Sequence, residues 1–413
     1  MKDSGISWVG EIPKEWTIMP LYCFYSERKN KNIFGAENNL LSLSYGKVIR
    51  KDINTSEGLL PSNYNGYNIV EAGDIIIRPT DLQNDKRSLR TGLSKERGII
   101  TSAYIALKPK NGINSRFYHY LLHTYDILKV FYNMGNGVRQ GLNYDEFAKL
   151  MVYSPSDIEQ QRIAEFLDRE CGKIDGLKAD IQAQIDTLEQ YKRSVITEAV
   201  THGLNPLAPM KDSGIPWVGQ FPTHWTKKKG KYILRYMSKP VKQDDGVITC
   251  FRDGEVTLRS NRREDGFTMA DKEIGYQGVD VGDLVVHGMD GFAGAIGISD
   301  SRGKASPVLN VLNTKQNKKY IMYYLRSMAY GEVFTALSTG IRVRSCDLRW
   351  NKLAELLYPL PPIDEQNNIV NYIDEQIART NDIIADKKSQ IETLDGYKKS
   401  LIYEYVTGKK EVV

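Results

Sequence analysis

Two histidines one helical turn apart are the most enzyme-like feature of this chain. His119 and His123 stand four residues apart, a spacing at which two imidazoles on one helix face can bind a metal ion. The position between them, however, holds Tyr120 where a zinc protease would carry its catalytic glutamate. We therefore expect a satisfied, partly buried histidine pair and no metal site.

Other enzyme motifs are missing or incomplete. The sequence contains no GxxxxGKS or GxxxxGKT phosphate loop, which argues against an ATP-driven motor in this chain. The run at 135–141 (GNGVRQG) departs from GxGxxG because its third glycine is one place late. The tetrapeptide Leu360-Pro361-Pro362-Ile363 departs from the (D/N)PP(F/Y) motif because it lacks the polar first residue that would hold an exocyclic amino group. We predict a chain without catalytic residues, bound cofactor or metal.

Basic, polar and aromatic residues concentrate in predicted loops. Arginine can pair with guanine edges or phosphates, and lysine with phosphates. For any one of these residues a solvated surface loop is the better explanation, so the prediction of DNA contact concerns the set. The predicted DNA-contacting residues are Tyr45, Lys47, Arg50, Lys51, Arg78, Arg87, Arg139, Arg252, Arg259, Arg263 and Arg342.

Composition sets wide limits on the class of protein. A chain of 413 residues exceeds one ordinary core and predicts two to three domains. No apolar run is long enough to cross a bilayer, and we expect a cytoplasmic protein with no secretory leader and no membrane partner. Its four cysteines lack CxxC spacing, which favours reduced thiols. The net charge of +5 is compatible with a polyanionic partner without requiring one.

The elements that must position these residues form an internal repeat. Residues 1–16 recur at 210–225 with eleven of sixteen positions identical, and residues 155–201 align with 361–407 without a gap. The segments between these shared parts, residues 17–154 and 226–360, have largely different sequences. They still share landmarks, because Gly73-Asp74 precedes an apolar strand as Gly282-Asp283 does. The repeat indicates one shared scaffold that carries two blocks with different recognition surfaces.

Each copy of the second repeat predicts a long amphipathic helix. Because Gly172 and Gly176 weaken the first copy, we expect a short helix over 157–170 and a longer one over 174–200. Two such helices are best satisfied by antiparallel pairing, and about 28 residues would make a rod of about 40 Å, slightly more than one turn of B-DNA. The predicted seam contains Ile174, Leu177, Ile181, Ile185, Leu188, Tyr191 and Val195, then Ile373, Ile377, Ile384, Ile391, Leu394, Tyr397 and Leu401.

Tryptophans mark the predicted joints between helices and globular parts. Trp8, Trp16, Trp217 and Trp225 lie in the short opening repeats, and we interpret them as packing anchors. By the internal symmetry, residues 1–16 should lie against the end of the second helix near Thr407.

The predicted fold class is α+β, with two mixed α/β globular domains joined by two long helices that form an antiparallel coiled coil with an internal pseudo-two-fold repeat. The predicted boundaries are 1–154 for the first domain with its segment 1–16, 155–202 for the first helical spacer, 203–209 for the linker, 210–360 for the second domain with its segment 210–225, 361–408 for the second helical spacer, and 409–413 for the tail.

This organisation resembles the specificity (S) subunit of Type I restriction-modification systems over the whole chain. The resemblance is carried by the order of variable block and helix, by Trp8 to Trp16 and its twin, and by the Glu159-Gln160 and Glu365-Gln366 pairs that open the helices. Ser154 and Ser156 depart from the family pattern, whereas LPPIDEQ at 360–366 is closer to it.

The resemblance implies a non-catalytic DNA reader. The two domains would be target recognition domains that each read one part of a split double-stranded DNA target. The helices would fix the gap and dock two methyltransferase (M) subunits, with restriction (R) subunits in the full complex. S-adenosylmethionine, ATP and Mg would then be bound by the partner subunits, and none by this chain.

Two alternatives remain open from the residues alone. A coiled-coil scaffold could join two protein partners through the variable blocks, and it would show no salt-dependent DNA binding. A cryptic DNA enzyme could use the histidine pair or the glycine-rich run, and it would methylate or cleave DNA without partners.

Overall fold

A computed structural model describes residues 1–54, 63–80, 82, 89–132, 134, 141–262, 273–337 and 348–412. Contacts group the chain into two units, Met1–Ile181 with Ser389–Val413 and Gln182–Lys388. This division runs through both long helices. The boundaries given above, which assign the helices to spacers of their own, therefore stay a prediction.

The first unit contains mixed helices and strands. Its strands are β1 Lys2–Asp3, β2 Glu11–Ile12, β3 Thr17–Pro20, β4 Tyr25–Glu27, β5 Leu41–Ser44, β6 Lys47–Arg50, β7 Asn68–Val70, β8 Ile75–Ile77, β9 Thr91–Leu93, β10 Gly98–Ile100, β11 Ile105–Pro109 and β12 Met151–Ser154. Its helices are α1 Ser115–Ile127, α2 Tyr144–Phe147, the first part of α3 Asp157–His202 and the last part of α7 Ile363–Val406. Strands β4, β11, β8 and β9 form an antiparallel sheet in that order.

The second unit repeats this arrangement. Its strands are β13 Met210–Asp212, β14 Gln220–Pro222, β15 Thr226–Lys229, β16 Leu234–Tyr236, β17 Ile248–Cys250, β18 Val256–Leu258, β19 Gln277–Val279, β20 Leu284–His287, β21 Ile296–Ile298, β22 Gly303–Ala305, β23 Leu309–Thr314 and β24 Leu357–Leu360. Its helices are the last part of α3, α4 Lys318–Tyr330, α5 Val333–Ala336, α6 Trp350–Glu355 and the first part of α7 Ile363–Val406. Strands β16, β23, β20 and β21 form the matching antiparallel sheet.

The two units share their local construction as well as their strand order. The Gly-Asp landmark precedes a fully buried run in both, Ile75 to Ile77 and Leu284 to Val286. The helix that covers each sheet begins at an asparagine, Asn114 or Asn317, whose side chain accepts two backbone N–H groups of the first turn. The predicted mixed α/β character of both blocks is confirmed.

The long helices are continuous. Helix α3 runs for 46 residues and α7 for 44, so the predicted break near Gly172 and Gly176 is wrong. A glycine costs a helix about 1 kcal/mol relative to alanine. Their neighbours Cys171 and Ile174 are buried in the core of the first unit, and we attribute the continuity of the helix to that packing.

Within each unit, the contacts between α3 and α7 are those of antiparallel helices. In the first unit Lys178 pairs with Asp395, and Lys398 pairs with Asp175 at 2.6 Å. In the second unit Lys192 donates to Asn381 at 2.8 Å, and Lys387 donates to Gln184. The pairing is antiparallel at each of these places, whereas a coiled coil along the full helices stays a prediction.

Several residues assigned to the helix seam lie elsewhere. Ile174, Ile185, Val195, Ile373, Ile384 and Leu401 are buried, as predicted. Leu177, Tyr191 and Tyr397 are exposed, so their assignment to the seam is wrong. Each long helix packs against a globular core and its partner helix at once, and a single apolar stripe does not describe both contacts.

The described residues bear on the expectations about membrane spans and cysteines. Among them, no helix is long and apolar enough to cross a membrane. Cys23, Cys171 and Cys250 are free thiols, while Cys346 lies outside the described residues.

Candidate nucleic-acid interface

One hairpin of the first unit brings four of the predicted DNA-contacting residues together. Tyr45 occupies the turn between β5 and β6 and is 86% exposed. Lys47 lies 3.8 Å from the Asp175 carboxylate. Arg50 donates from Nε to both carboxylate oxygens of Glu96, at 2.7 and 2.8 Å, and this guanidinium holds the pKa of Glu96 below its ordinary value. Lys51 follows, exposed, at the end of β6.

The corresponding hairpin of the second unit carries two more. Arg252 is exposed in the turn between β17 and β18 and forms an ion pair with Asp290 at 2.9 Å. Arg259 directly follows β18, is half-buried, and donates to the Thr249 hydroxyl at 3.4 Å. Each unit therefore presents predicted contacts on the hairpin that follows its first sheet strand.

Of the remaining predicted residues, the structure describes Arg78 alone, and it lies outside these hairpins. Arg78 is half-buried after β8, and its backbone N–H donates to the Arg90 carbonyl at 2.8 Å. Four others lie outside the described residues: Arg87, Arg139, Arg263 and Arg342. DNA contact by every member of the set stays a prediction.

A tryptophan-to-glutamate bond anchors each hairpin-bearing unit to a long helix. The indole of Trp16 donates to Glu159 at 3.0 Å, and that of Trp225 donates to Glu365 at 3.0 Å. Both rings are buried, which confirms them as packing anchors. Burial raises the pKa of Glu159, although the indole bond opposes the rise.

The glutamine of each Glu-Gln pair has a different role. The side-chain amide of Gln160 donates to the Pro155 carbonyl at 3.0 Å, and that of Gln366 donates to the Pro361 carbonyl at 2.9 Å. These bonds fix the chain as it enters each long helix. The two residues of the repeated pair thus serve two contacts, with glutamate facing the opening segment and glutamine facing its own helix start.

A second brace joins the sheet-covering helix of each unit to a long helix. Asp168 accepts from Arg116 and from the Tyr120 hydroxyl, each at 2.8 Å. In the second unit Asp374 accepts from Lys319 at 2.6 Å and from the hydroxyl of Tyr323. Sequence reasoning aligned the two aspartates but missed their partners. A basic residue and a tyrosine one turn apart were the available signal.

The opening segment of the chain lies where the repeat predicts it. Tyr403 donates to the Trp8 carbonyl at 3.4 Å, and Lys409 donates to the Glu11 carbonyl at 2.8 Å. Gly408 has a φ of +67°, and a Cβ there would come within 2.5 Å of Pro13. Residues 1–16 therefore pack against the end of α7 near Thr407, which confirms that prediction.

A cleft of about 1610 Å³ opens in the first unit between the β5–β6 hairpin, α1 and the long helices. His119 and His123 line it, and among the described residues His119 Nε2 and His123 Nδ1 are buried without a hydrogen-bond partner. The expectation of a satisfied pair is wrong. Burial lowers the pKa of His119 to about 3 and that of His123 to about 4, so both rings are neutral at pH 7. No group of three candidate metal ligands occurs in the described parts of the chain.

The second unit has an arginine where the first has His123. Arg326 stands one turn before Tyr330 on α4, donates to that hydroxyl at 2.9 Å, and donates to the Asp253 carbonyl at 2.8 Å. Asp253 belongs to the turn between β17 and β18. Arg326 therefore ties the hairpin of the second unit directly to the helix beneath it.

Comparison with known proteins gives three results. A family model for the Type I restriction modification DNA specificity domain matches residues 27–187. The putative type I restriction enzyme MjaX specificity subunit of Methanocaldococcus jannaschii is 22% identical over 98% of this chain and 96% of that protein. A chain solved for the complex assembly and conformational transition of the type I R-M system superposes with a TM-score of 0.65 at 12% identity, over 97% of this chain and 100% of the other.

Proposed function

Since the chain belongs to the family of Type I restriction-modification specificity subunits, we propose that it selects the DNA target of such a complex without catalysing a reaction itself. The observation that carries this proposal is the pairing of repeated anchors with divergent hairpins. The bonds from Trp16 to Glu159 and from Trp225 to Glu365 are alike. The hairpins that those anchors support carry different side chains, as two readers of different sequences require.

Each unit would read one part of a bipartite double-stranded target. The β5–β6 hairpin presents an exposed tyrosine with three cations, and the β17–β18 hairpin presents two arginines. Arginine and lysine on a rigid hairpin can bind phosphates for position and guanine edges for sequence. Ion pairs such as Arg50 with Glu96 are exposed. A DNA phosphate could replace the carboxylate partner at small cost, since exposed ion pairs contribute about 0–1 kcal/mol.

The long helices would act as the spacer. Both continue without interruption from residues of one unit into residues of the other, and the helix contacts within each unit are antiparallel. We propose that the pair forms an antiparallel coiled coil whose length sets the number of base pairs between the two half-sites. A helix rises about 1.5 Å per residue, and duplex DNA rises about 3.4 Å per base pair.

Exposed apolar residues on the helices offer two equivalent docking places for methyltransferase subunits. Leu177 and Ile383 occupy matching repeat positions, as do Tyr191 and Tyr397, and all four are exposed. By the register of Lys178 with Asp395, Leu177 lies at the level of Tyr397. Apolar side chains held in water favour burial by a partner.

In the assembled complex the methyltransferase subunits would bind S-adenosylmethionine, and restriction subunits would use ATP and Mg. We place this assembly in the cytoplasm, where its DNA substrate lies.

Mapping of methylated bases tests the proposal. The chain is co-expressed with a Type I methyltransferase subunit of its own system, and the host genome is sequenced for modified adenine. We expect one split motif with a fixed gap, which disappears when this chain is omitted. Methylation that keeps the same motif without this chain would contradict the proposal.

A further inference from the structure

A loop of the first unit holds a phenylalanine out into solvent. Phe34 lies between β4 and β5 and is 94% exposed. Its backbone is left-handed, with a φ of +62° and a ψ of +19°, a conformation that a side chain with a Cβ rarely adopts. Gly35 continues the same conformation with a φ of +65°. Both the exposure and the conformation are unfavourable, and backbone strain of this kind is concentrated at functional sites.

The loop around Phe34 is braced from inside. Asn32 is fully buried, and its amide donates to the Glu37 carbonyl at 2.9 Å while its side-chain oxygen accepts from the Glu37 N–H at 2.9 Å. The Glu37 carboxylate accepts from the Asn39 N–H at 3.1 Å and from Arg97 at 3.0 Å, and these bonds hold its pKa low. These bonds hold the backbone on both sides of Phe34 in place.

The residues around the Phe34 ring suit a ligand that combines negative charges with stacked aromatic rings. Residues 28–32 read Arg-Lys-Asn-Lys-Asn, and Lys29 and Lys31 are exposed beside the loop. Ile33, next to Phe34, is exposed as well. An apolar tip with flanking cations matches the chemistry of side chains that enter a DNA base step, where the cations meet phosphates and the tip meets bases.

The second unit carries no matching tip. Its corresponding loop, residues 237–247 between β16 and β17, contains no Phe, Tyr or Trp. The braced aromatic tip is therefore not part of the duplicated frame. It belongs to what the first unit does differently.

We propose that Phe34 is a wedge that inserts between two adjacent base pairs of the half-site read by the first unit. The inference rests on the proposed function, because it places the ring in the DNA target. Apolar wedges of this kind partly unstack a base step and kink the duplex, so the wedge favours target sequences with an easily unstacked step.

The decisive variants separate the ring from the backbone strain. Phe34→Gly removes the ring and suits a φ of +62°. The complex with methyltransferase subunits is therefore expected to keep or raise its melting temperature. Its affinity for the mapped target should fall roughly tenfold, within the range known for loss of one stacked aromatic. Phe34→Asn tolerates the same backbone and serves if the glycine variant fails to fold, while Phe34→Trp should retain affinity.

The matched control removes an equally exposed apolar side chain outside the units' hairpins. Leu207 is 89% exposed in the segment between α3 and β13. Leu207→Ala should leave the affinity of the complex for target DNA unchanged. A loss equal to that of Phe34→Gly would show a general effect of surface apolarity and would overturn the wedge.

A second readout looks at the base step itself. 2-Aminopurine is placed in turn at each position of the first half-site, and its fluorescence should rise at one step with the wild-type complex and stay low with Phe34→Gly. Equal affinity and equal fluorescence for both complexes would overturn the wedge while sequence-specific binding upheld the proposed function. Weaker assembly with methyltransferase subunits at unchanged DNA affinity would instead make the ring a protein contact and would also overturn it. A wild-type complex without any sequence-specific binding would refute the proposed function.

Discussion

The sheet-covering helices α1 and α4 show which parts of this molecule are held constant and which vary. On the side facing the long helices they match, with Arg116 and Tyr120 on Asp168 in one unit and Lys319 and Tyr323 on Asp374 in the other. On the side facing the hairpins they differ. Arg326 bonds to the hairpin of the second unit, whereas His123 lines an open cleft in the first.

The difference separates the contacts that attach each unit to the helices from the surface proposed to read DNA. Contacts that attach a unit to the helices use the same chemistry twice. Contacts beneath the hairpins differ: one unit has a bonded cation at this place, while the other has two neutral imidazoles. Variation is therefore concentrated where the proposed target is read.

Loss of an anchor should have the largest effect. Trp16→Ala and Trp225→Ala each remove a buried indole together with its bond to glutamate, and each should cost about 3–5 kcal/mol of stability. Urea denaturation followed by far-UV circular dichroism measures the loss. The comparison predicts similar values for the two variants. A cost below about 1 kcal/mol for either one would show that the two joints are not equivalent.

Acid should destabilise the first unit more than the second. Burial lowers the pKa of His119 to about 3 and of His123 to about 4, while an unfolded histidine titrates near 6.5. The stabilisation from neutral rings is thus complete above pH 6.5 and is lost as pH falls toward the folded values. The slope is about 1.4 kcal/mol per pH unit for each histidine.

The double variant His119→Leu/His123→Leu provides the control for this acid effect. Denaturation series at pH 7, 6 and 5 should show a shallower loss of stability in the variant than in the wild type. Identical slopes would mean that the two rings protonate in the folded chain as readily as in the unfolded one.

Identical replacements at the two matching helix positions should have different effects. Arg326→Leu removes bonds to Tyr330 and to the Asp253 carbonyl, and it should cost about 1 kcal/mol. His123→Leu removes a ring whose buried nitrogen has no partner among the described residues, and the change should be within about 1 kcal/mol of neutral or stabilising. Thermal denaturation compares the stability of the two variants. A larger loss of stability for His123→Leu than for Arg326→Leu would contradict the interpretation of His123 as an unsatisfied ring in the cleft.

Features set by local pattern were predictable from the sequence. The repeated segments marked Trp16 and Trp225 as anchors, and the three- and four-residue steps of apolar residues predicted both long helices, apart from the wrong break at Gly172 and Gly176. The symmetry of the repeat also placed residues 1–16 near Thr407. These inferences need only identity, spacing and the geometry of a single element.

Features that depend on distant partners were not predictable. Gly172 and Gly176 weaken a helix in isolation, but core packing at Cys171 and Ile174 keeps it continuous. The outward position of Tyr397 depends on which core the helix meets. The partners of Asp168 and the strained turn at Phe34 arise from contacts between residues far apart or from loop closure, and neither leaves a periodic signal.

The spacer role of the helices is tested most directly by lengthening both of them. A heptad is inserted into α3 between Ile181 and Gln182 and into α7 between Lys388 and Ser389, where the chain passes from one unit to the other. As a control, seven residues are inserted into the linker at 203–209, which should leave the target unchanged. Methylated targets of each complex are then mapped by sequencing.

The two heptads add about 10 Å to the helix pair, equal to about three base pairs. We expect the same two half-sites with a gap longer by that amount. A folded, active double-insertion complex that still methylates the original gap would contradict it.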